Sequence, residues 1–282
     1  MKSSPVAAQR RRPTLGSRGM RPWQSRTVAI SGGYLAYHRT GGPGPVLVLS
    51  HGLTDNGLCW SRFAAAMESD FDIVMLDARG HGESSRLPAS EPHDSGQDIA
   101  EAIDRLALHS PVVMGHSVGA RATAAYASAH PGRASMVILE DPPFTLPAEL
   151  SAAQARSERF RQQVEKFRSM TPAEITAMGR ASSPNWHEDE FPAWAAAKQQ
   201  VAPDAMPSYA ASWQDSVAGI TAPTLLIYGE PGLGGMITPA LANEATAINS
   251  NIRPVQISGA GHNVRRENFL AFLLAVRAFL LG

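Results

Sequence analysis

At 282 residues, with 44% hydrophobic and 18% charged side chains, the chain can bury one sizeable core and still carry an inserted subdomain. No apolar run reaches the roughly 18 residues that cross a bilayer, and the single cysteine, Cys59, excludes an intrachain disulfide, so a reduced cytoplasm and no membrane partner are expected. Lys+Arg and Asp+Glu both total 25, but Lys2, Arg10, Arg11, Arg12, Arg18, Arg21 and Arg26 cluster at the start; without those seven, 18 basic residues face 25 acidic ones, and a body of net charge −7 argues against nucleic-acid binding.

Residues 1–26 read as a disordered basic tail. Arg10-Arg11-Arg12 is similar to a twin-arginine export signal, yet the stretch from Pro13 to Gly19 is too polar and Gly-rich to be a signal core. From Thr27 short apolar runs alternate with helical patterns, the signature of a mostly parallel sheet flanked by helices. Thr27–Ser31 and Tyr34–Thr40 form a predicted hairpin through Gly32-Gly33, and Pro45–Ser50 reads as a strand buried on both faces. Later strands are predicted at Phe71–Leu76, Pro111–Gly115, Ala134–Leu139, Pro223–Tyr228 and Arg253–Ile257, eight in all. Helices are predicted at Leu58–Ser69, Gln97–Leu108, Val118–His130, Pro239–Ala247 and Asn263–Leu281. The interval 144–217 lacks a strand-like run and reads as an inserted helical lid, with helices such as Glu149–Arg168 and Pro172–Arg180 and breaks at Pro184, Pro192, Pro203 and Pro207. Its rings, Phe144, Trp186, Phe191, Trp194, Tyr209 and Trp213, chiefly pack it against the core formed by 27–143 and 218–282.

Gly115-His116-Ser117-Val118-Gly119 lies between a strand and a helix. A serine hydroxyl is a poor nucleophile at neutral pH, so catalysis needs it on a sharp, exposed turn beside a base, which Gly115 and Gly119 leave room for. The oxyanion of a tetrahedral intermediate needs donors, for which the backbone N–H groups of Val118 and of Leu53, after His51-Gly52, are the candidates. Of nine histidines His262 is best placed as base, between the last strand and the final helix. The acid that orients it should leave a strand end. Glu140-Asp141 follow one strand and Glu230 another; adjacent strand residues point to opposite sides, so only one of the first two can face His262. Asp141 is preferred, with Glu140 and Glu230 as alternatives. Trp60 and Phe144 are candidate substrate-binding residues, and so is Arg121, which either meets a substrate carboxylate or faces a neighbouring loop.

With Ser117, His262, His51-Gly52 and the stretch from Asp77 to Ser84 (DARGHGES) in order, the chain from Thr27 to Gly282 resembles the α/β-hydrolase superfamily. The resemblance implies an α/β-hydrolase fold and a chiefly structural role for Asp77 and His81. The superfamily's usual acid position corresponds to Gly232, which carries no carboxylate. A closer resemblance, over Val137–Pro147 and Ile220–Asn243, is to N-formylmaleamate deformylase and its relatives, amide hydrolases in which the acid is an early aspartate matching Asp141.

The expected function is cleavage of an ester, lactone or amide bond in a small-molecule substrate by a Ser-His-Asp triad through an acyl-enzyme, with no metal or organic cofactor. Ser117 argues against dehalogenase and epoxide-hydrolase chemistry, which use an aspartate nucleophile. Carbon–carbon bond hydrolases, cofactor-free haloperoxidases and non-catalytic ligand receptors on the same fold stay open, as does the oligomeric state.

Overall fold

Apolar runs without alternation need a partner on each face, and here they find it in helices on both sides of one sheet. A computed structural model describes residues 22–86, 93–144, 150–206 and 211–282, with the backbone alone at 150–153. The tail up to residue 21, Pro207 and Tyr209 lie outside the described residues. The eight strands are β1 (Gln24–Ile30), β2 (Gly33–Arg39), β3 (Val46–Ser50), β4 (Asp72–Leu76), β5 (Val112–His116), β6 (Met136–Glu140), β7 (Thr224–Tyr228) and β8 (Ile252–Gln256). Their order is β1-β2-β4-β3-β5-β6-β7-β8, with β1 and β2 antiparallel to their neighbours and all later pairings parallel.

Side-chain alternation sorts the strands between two cores. Leu47, Leu49, Ile73, Met75 and Ile138 join a cluster with Phe63 of helix α1 (Ser61–Met67) and Phe272 of the final helix. Val48, Val74, Val137 and Leu139 face the opposite cluster, with Ile99 and Ile103 of α2 (Ser95–Arg105) and Ala120 and Tyr126 of α3 (Val118–Ala129).

Among the described residues four helices come between β6 and β7: α4 (Leu150–Ser169), α5 (Pro172–Ser182), α6 (Glu190–Gln200) and α7 (Trp213–Ala218). Then come α8 (Pro239–Ile248), α9 (Val264–Glu267) and α10 (Phe269–Leu281). The inserted helices bring two small clusters of their own: Phe167, Ile175 and Ala195, and Phe160, Val164, Val201, Ala202 and Ala205, the second resting on Leu53 of the core. Among the described residues no helix is long and apolar enough to cross a membrane.

Several boundaries differ from the sequence reading, three of them for a physical reason. Gln24–Arg26, assigned to the tail, belong to β1, because pairing with Tyr37–Arg39 satisfies their backbone whatever their side chains. The helix expected at Leu58 opens as a 3-10 turn, Gly57–Trp60. The helix expected over Asn263–Leu281 breaks at Asn268, whose backbone leaves the helical region (φ −139°, ψ 72°) so that its side chain can cap α10 by accepting from Ala271 N–H.

The start of α3 packs directly on the end of β3, since a Cβ at Gly119 would press into the carbonyl oxygens of Ser50 and His51. Gly119→Ala is therefore expected to cost about 1–3 kcal/mol through overpacking, measured by urea unfolding; an unchanged midpoint would contradict this packing.

Candidate active site

Strand ends on one edge of the sheet bring the sequence-predicted residues together. Ser117 closes the turn between β5 and α3 with a left-handed backbone (φ 55°), and its N–H donates to Glu140 O at 2.9 Å. His262 leaves the segment after β8; its Nε2 lies 3.0 Å from Ser117 Oγ and its Nδ1 2.6 Å from Asp141 Oδ2. Asp141 is fully buried, while the His262 side chain keeps 30% of its surface exposed. The carboxylate is gripped further by backbone, Oδ2 accepting from Met236 N–H at 2.9 Å and Oδ1 from Ile237 N–H at 3.1 Å. The loop after β7 thus supplies two donors to an acid carried on β6, and at Gly232 an added Cβ would meet nothing within 4 Å.

The three candidate carboxylates separate cleanly. Asp141 turns out of β6 with φ 42°, a left-handed conformation that aspartate tolerates better than most residues. Glu140, still in the strand, points elsewhere and accepts from Arg265 N–H (2.9 Å) and Nη1 (3.1 Å). Glu230 caps the turn before His262, accepting from Gly259 N–H (2.7 Å) and Ser258 Oγ (2.9 Å); the Gly259 N–H bond holds its carboxyl below the usual range.

The two predicted oxyanion donors flank Ser117. Val118 opens α3, where the first N–H groups have no carbonyl one turn back. Gly52, before Leu53, lies against the serine: a Cβ there would sit 3.6 Å from Ser117 Cβ. The Gly52–Leu53 peptide is aimed by its carbonyl, which takes a hydrogen bond from Asp55 N–H (3.0 Å) and another from His51 Nδ1 (2.8 Å). Ala78 N–H donates to His51 Nε2 at 2.9 Å, which leaves the His51 proton on Nδ1. Because carbonyl and N–H of a trans peptide point opposite ways, anchoring Gly52 O sets the direction of Leu53 N–H. The next carbonyl, Leu53 O, lies 2.6 Å from His81 Nε2. Burial pushes His81 down to about 3, so the ring is neutral.

The three candidate substrate-binding residues are engaged elsewhere, Arg121 facing a neighbouring loop as one of its two expected placements. Trp60 is fully buried beneath the Arg265 guanidinium (4.1 Å from the ring centroid) and edge-on to Phe63, so it packs the core instead of lining a pocket. Phe144 is likewise buried, stacked on Trp213 at 4.5 Å. Arg121, one turn below Ser117, reaches Ala211 O (3.3 Å) and lines a cavity with Asp94, Ser95 and Ser216 that Ser117 and His262 do not touch.

A group of buried charges beneath these loops escaped the sequence reading. Asp55, Glu140 and Glu190 face Lys198, Arg265 and Arg266, every side chain at most 5% exposed. Asp55 meets Lys198 Nζ at 3.0 Å, Arg266 Nη2 at 3.0 Å and Arg265 Nη2 at 3.3 Å; Arg266 Nε continues to Glu190 Oε2 at 3.2 Å. Burial alone would raise the Asp55 carboxyl, but Arg266, Lys198 and Arg265 hold it well below the ordinary range. The signal was present in the doublet Arg265-Arg266 three residues after His262, but its partners lie 210 and 125 positions away. His116 Nε2 adds a neutral contact to His262 O at 3.0 Å; burial holds its ring well below the ordinary histidine value.

Asp55→Asn is expected to destabilise the fold by about 3–5 kcal/mol at neutral pH, since it leaves buried cations undercompensated. A depressed folded pKa contributes stability that is complete above the unfolded value, about 3.9, and is lost as pH falls toward the folded value. The gap between wild type and variant should therefore shrink below about pH 4 in urea titrations; a gap that widens there would refute the assignment.

The family model described as alpha/beta hydrolase fold matches residues 45–265. The 2-(acetamidomethylene)succinate hydrolase of Mesorhizobium japonicum is 25% identical over 260 residues, covering 86% of this chain and 90% of that protein. N-formylmaleamate deformylase of Pseudomonas putida is 27% identical over 264 residues, covering 90% and 95%. Among solved structures, that of E-2-(acetamidomethylene)succinate hydrolase superposes with a TM-score of 0.78 at 23% identity, over 93% of this chain and all of that one. With the model spanning well over half its length, the chain belongs to the alpha/beta hydrolase fold family.

Proposed function

We propose that the protein hydrolyses an amide or ester bond of a small molecule, with Ser117 as nucleophile, His262 as general base and acid, and Asp141 as the group that orients the imidazole. The observation that carries this reading is the continuous chain from Asp141 Oδ2 through both His262 nitrogens to Ser117 Oγ, at 2.6 and 3.0 Å. An ionised Asp141 accepts from Nδ1–H, which leaves the Nε2 lone pair to accept from the serine hydroxyl. As Oγ bonds to the substrate carbonyl carbon, its proton passes to Nε2 and the oxyanion takes the N–H groups of Leu53 and Val118. Collapse breaks the bond to the leaving group, which leaves with the Nε2 proton. Water then attacks the acyl-enzyme with His262 again as base, restoring Ser117.

Both relatives are named for small molecules that carry an acyl group on nitrogen together with a carboxylate, which favours an N-acyl substrate over a long-chain ester. Phe160 and Val164 of the insertion, packed against Leu53 and Met206, give the loop of the oxyanion donors an apolar neighbour, with α4 to α7 as the cover over the substrate.

Ser117→Ala is expected to abolish hydrolysis of para-nitrophenyl acetate and of N-formyl and N-acetyl enamides, and to abolish fluorophosphonate labelling, with an unchanged melting temperature. Turnover retained in pure Ser117→Ala would sink the reading. Asp141→Asn should lower kcat by about 10³–10⁴-fold, because an amide cannot fix the imidazole tautomer; full activity in that variant, with activity lost in Glu230→Gln, would move the acid to Glu230.

A further inference from the structure

Three consecutive carbonyls of the loop after β3 are each held by a different side chain. Gly52 O is held by His51 and Leu53 O by His81. Thr54 O is held by Lys198, from helix α6 of the insertion, 144 positions away, at 2.9 Å from Nζ. The same ammonium donates to Thr54 Oγ1 at 2.7 Å and Asp55 Oδ1 at 3.0 Å. An ammonium has three donors, and here all three are used on two adjacent residues. Lys198 is 3% exposed, with the Trp194 ring 4.6 Å away.

Both ends of α6 are tied to the same frame. At its start Glu190 pairs with Arg266, in the segment that follows His262. At its end Asn56 Nδ2 donates to Gln200 Oε1 at 2.7 Å, and Arg86 Nη1 donates to Gln200 O at 2.8 Å. If α6 swung away, Glu190 and Lys198 would lose Arg266 and Asp55 as partners and the remaining charges would be opened to water.

We propose that Lys198 is a positioning residue of the hydrolytic reaction: it holds the Thr54–Asp55 segment so that Leu53 N–H stays aimed at the oxyanion, and α6 is a fixed wall of the active site, not part of a moving cover. The inference rests on the proposed serine-hydrolase reading. Lys198 touches no reacting atom and acts through the loop. Loosening the Thr54 carbonyl lets the Thr54–Asp55 peptide rotate, which draws Asp55 N–H away from Gly52 O and so unfixes the Gly52–Leu53 peptide, and the reaction loses a donor directed at charge that develops only in the transition state.

The test compares wild type and Lys198→Met on para-nitrophenyl acetate and on its thionocarbonyl counterpart. A thiocarbonyl sulfur draws little from N–H donors, so the oxo-to-thiono rate ratio reports how well the oxyanion is held. Lys198→Met keeps the stem volume, and Asp55 keeps Arg265 and Arg266. The expected result is a kcat lower by about 10–100-fold on the oxo ester, less than loss of a whole donor, with KM little changed and the oxo-to-thiono ratio lowered by a similar factor. Equal slowing of both esters, or an oxo-ester kcat like that of wild type, would overturn the proposal. Should Lys198→Met fail to fold, Thr54→Val, which removes one of the three acceptors and keeps the shape, must lower the same ratio; an unchanged ratio overturns it equally. Hydrolysis persisting in Ser117→Ala, or absent from wild type, would instead overturn the functional reading beneath it.

Discussion

Three carboxylates and three cations lie buried under the loops that carry Ser117, His262 and Asp141, and their mutual neutralisation is the constraint on which the rest of the site depends. Asp55 follows the Leu53–Thr54 pair, Glu140 precedes Asp141, and Arg265 and Arg266 follow His262, so the pairs among these four tie the loops of the candidate site to one another, while Lys198 and Glu190 tie them to α6. Unpaired, any one of these groups would bear the full cost of leaving water, so the loops are confined to the arrangement in which all six are matched. The Asp141–His262–Ser117 chain inherits that confinement: its geometry is set by charges that take no part in the chemistry.

The acid shows how one position can be replaced by another without changing the chain of hydrogen bonds. In the superfamily pattern the loop after β7 carries the carboxylate; here that loop has Gly232 and contributes the N–H groups of Met236 and Ile237 to a carboxylate from β6. The positive φ of Asp141 turns its side chain toward His262, while Glu140, one residue earlier, keeps the strand's opposite direction and meets Arg265. One strand end therefore serves two networks, the Asp141–His262–Ser117 chain on one side and the Arg265 ion pair on the other.

The insertion is joined to the core in two ways. Phe160, Val164, Val201, Ala202 and Ala205 rest on Leu53 through apolar contact, whereas α6 enters through Glu190 and Lys198, whose charges the core must match. Apolar contact tolerates sliding; matched buried charge does not. The aromatic residues of the insertion follow the same division: Phe144 and Trp213 stack where the chain leaves and rejoins the core, and Trp186 lies under the Arg266 guanidinium at 4.7 Å.

The eight strands, the turn at Ser117 and the position of His262 were legible in the sequence because each rests on local information: apolar runs for strands, glycines two residues either side of Ser117, a histidine between the last strand and the last helix; Asp141 was preferred there with Glu140 and Glu230 as alternatives. Side-chain direction was not legible. Trp60, Phe144 and Arg121 sit near the site in sequence, yet packing buried the first two and turned the third toward Ala211, because what a side chain meets depends on elements far along the chain. The charge group is the extreme case. Asp55, Lys198 and Arg265 read separately as ordinary charged residues, and only the folding of positions 55, 198 and 265 into one dry space made them obligatory partners. The sequence by itself determined the order of elements and the candidate groups, since those follow from local pattern and residue chemistry; the tertiary structure decided which carboxylate faces His262 and what holds the Leu53–Asp55 loop, since burial makes long-range charge matching compulsory.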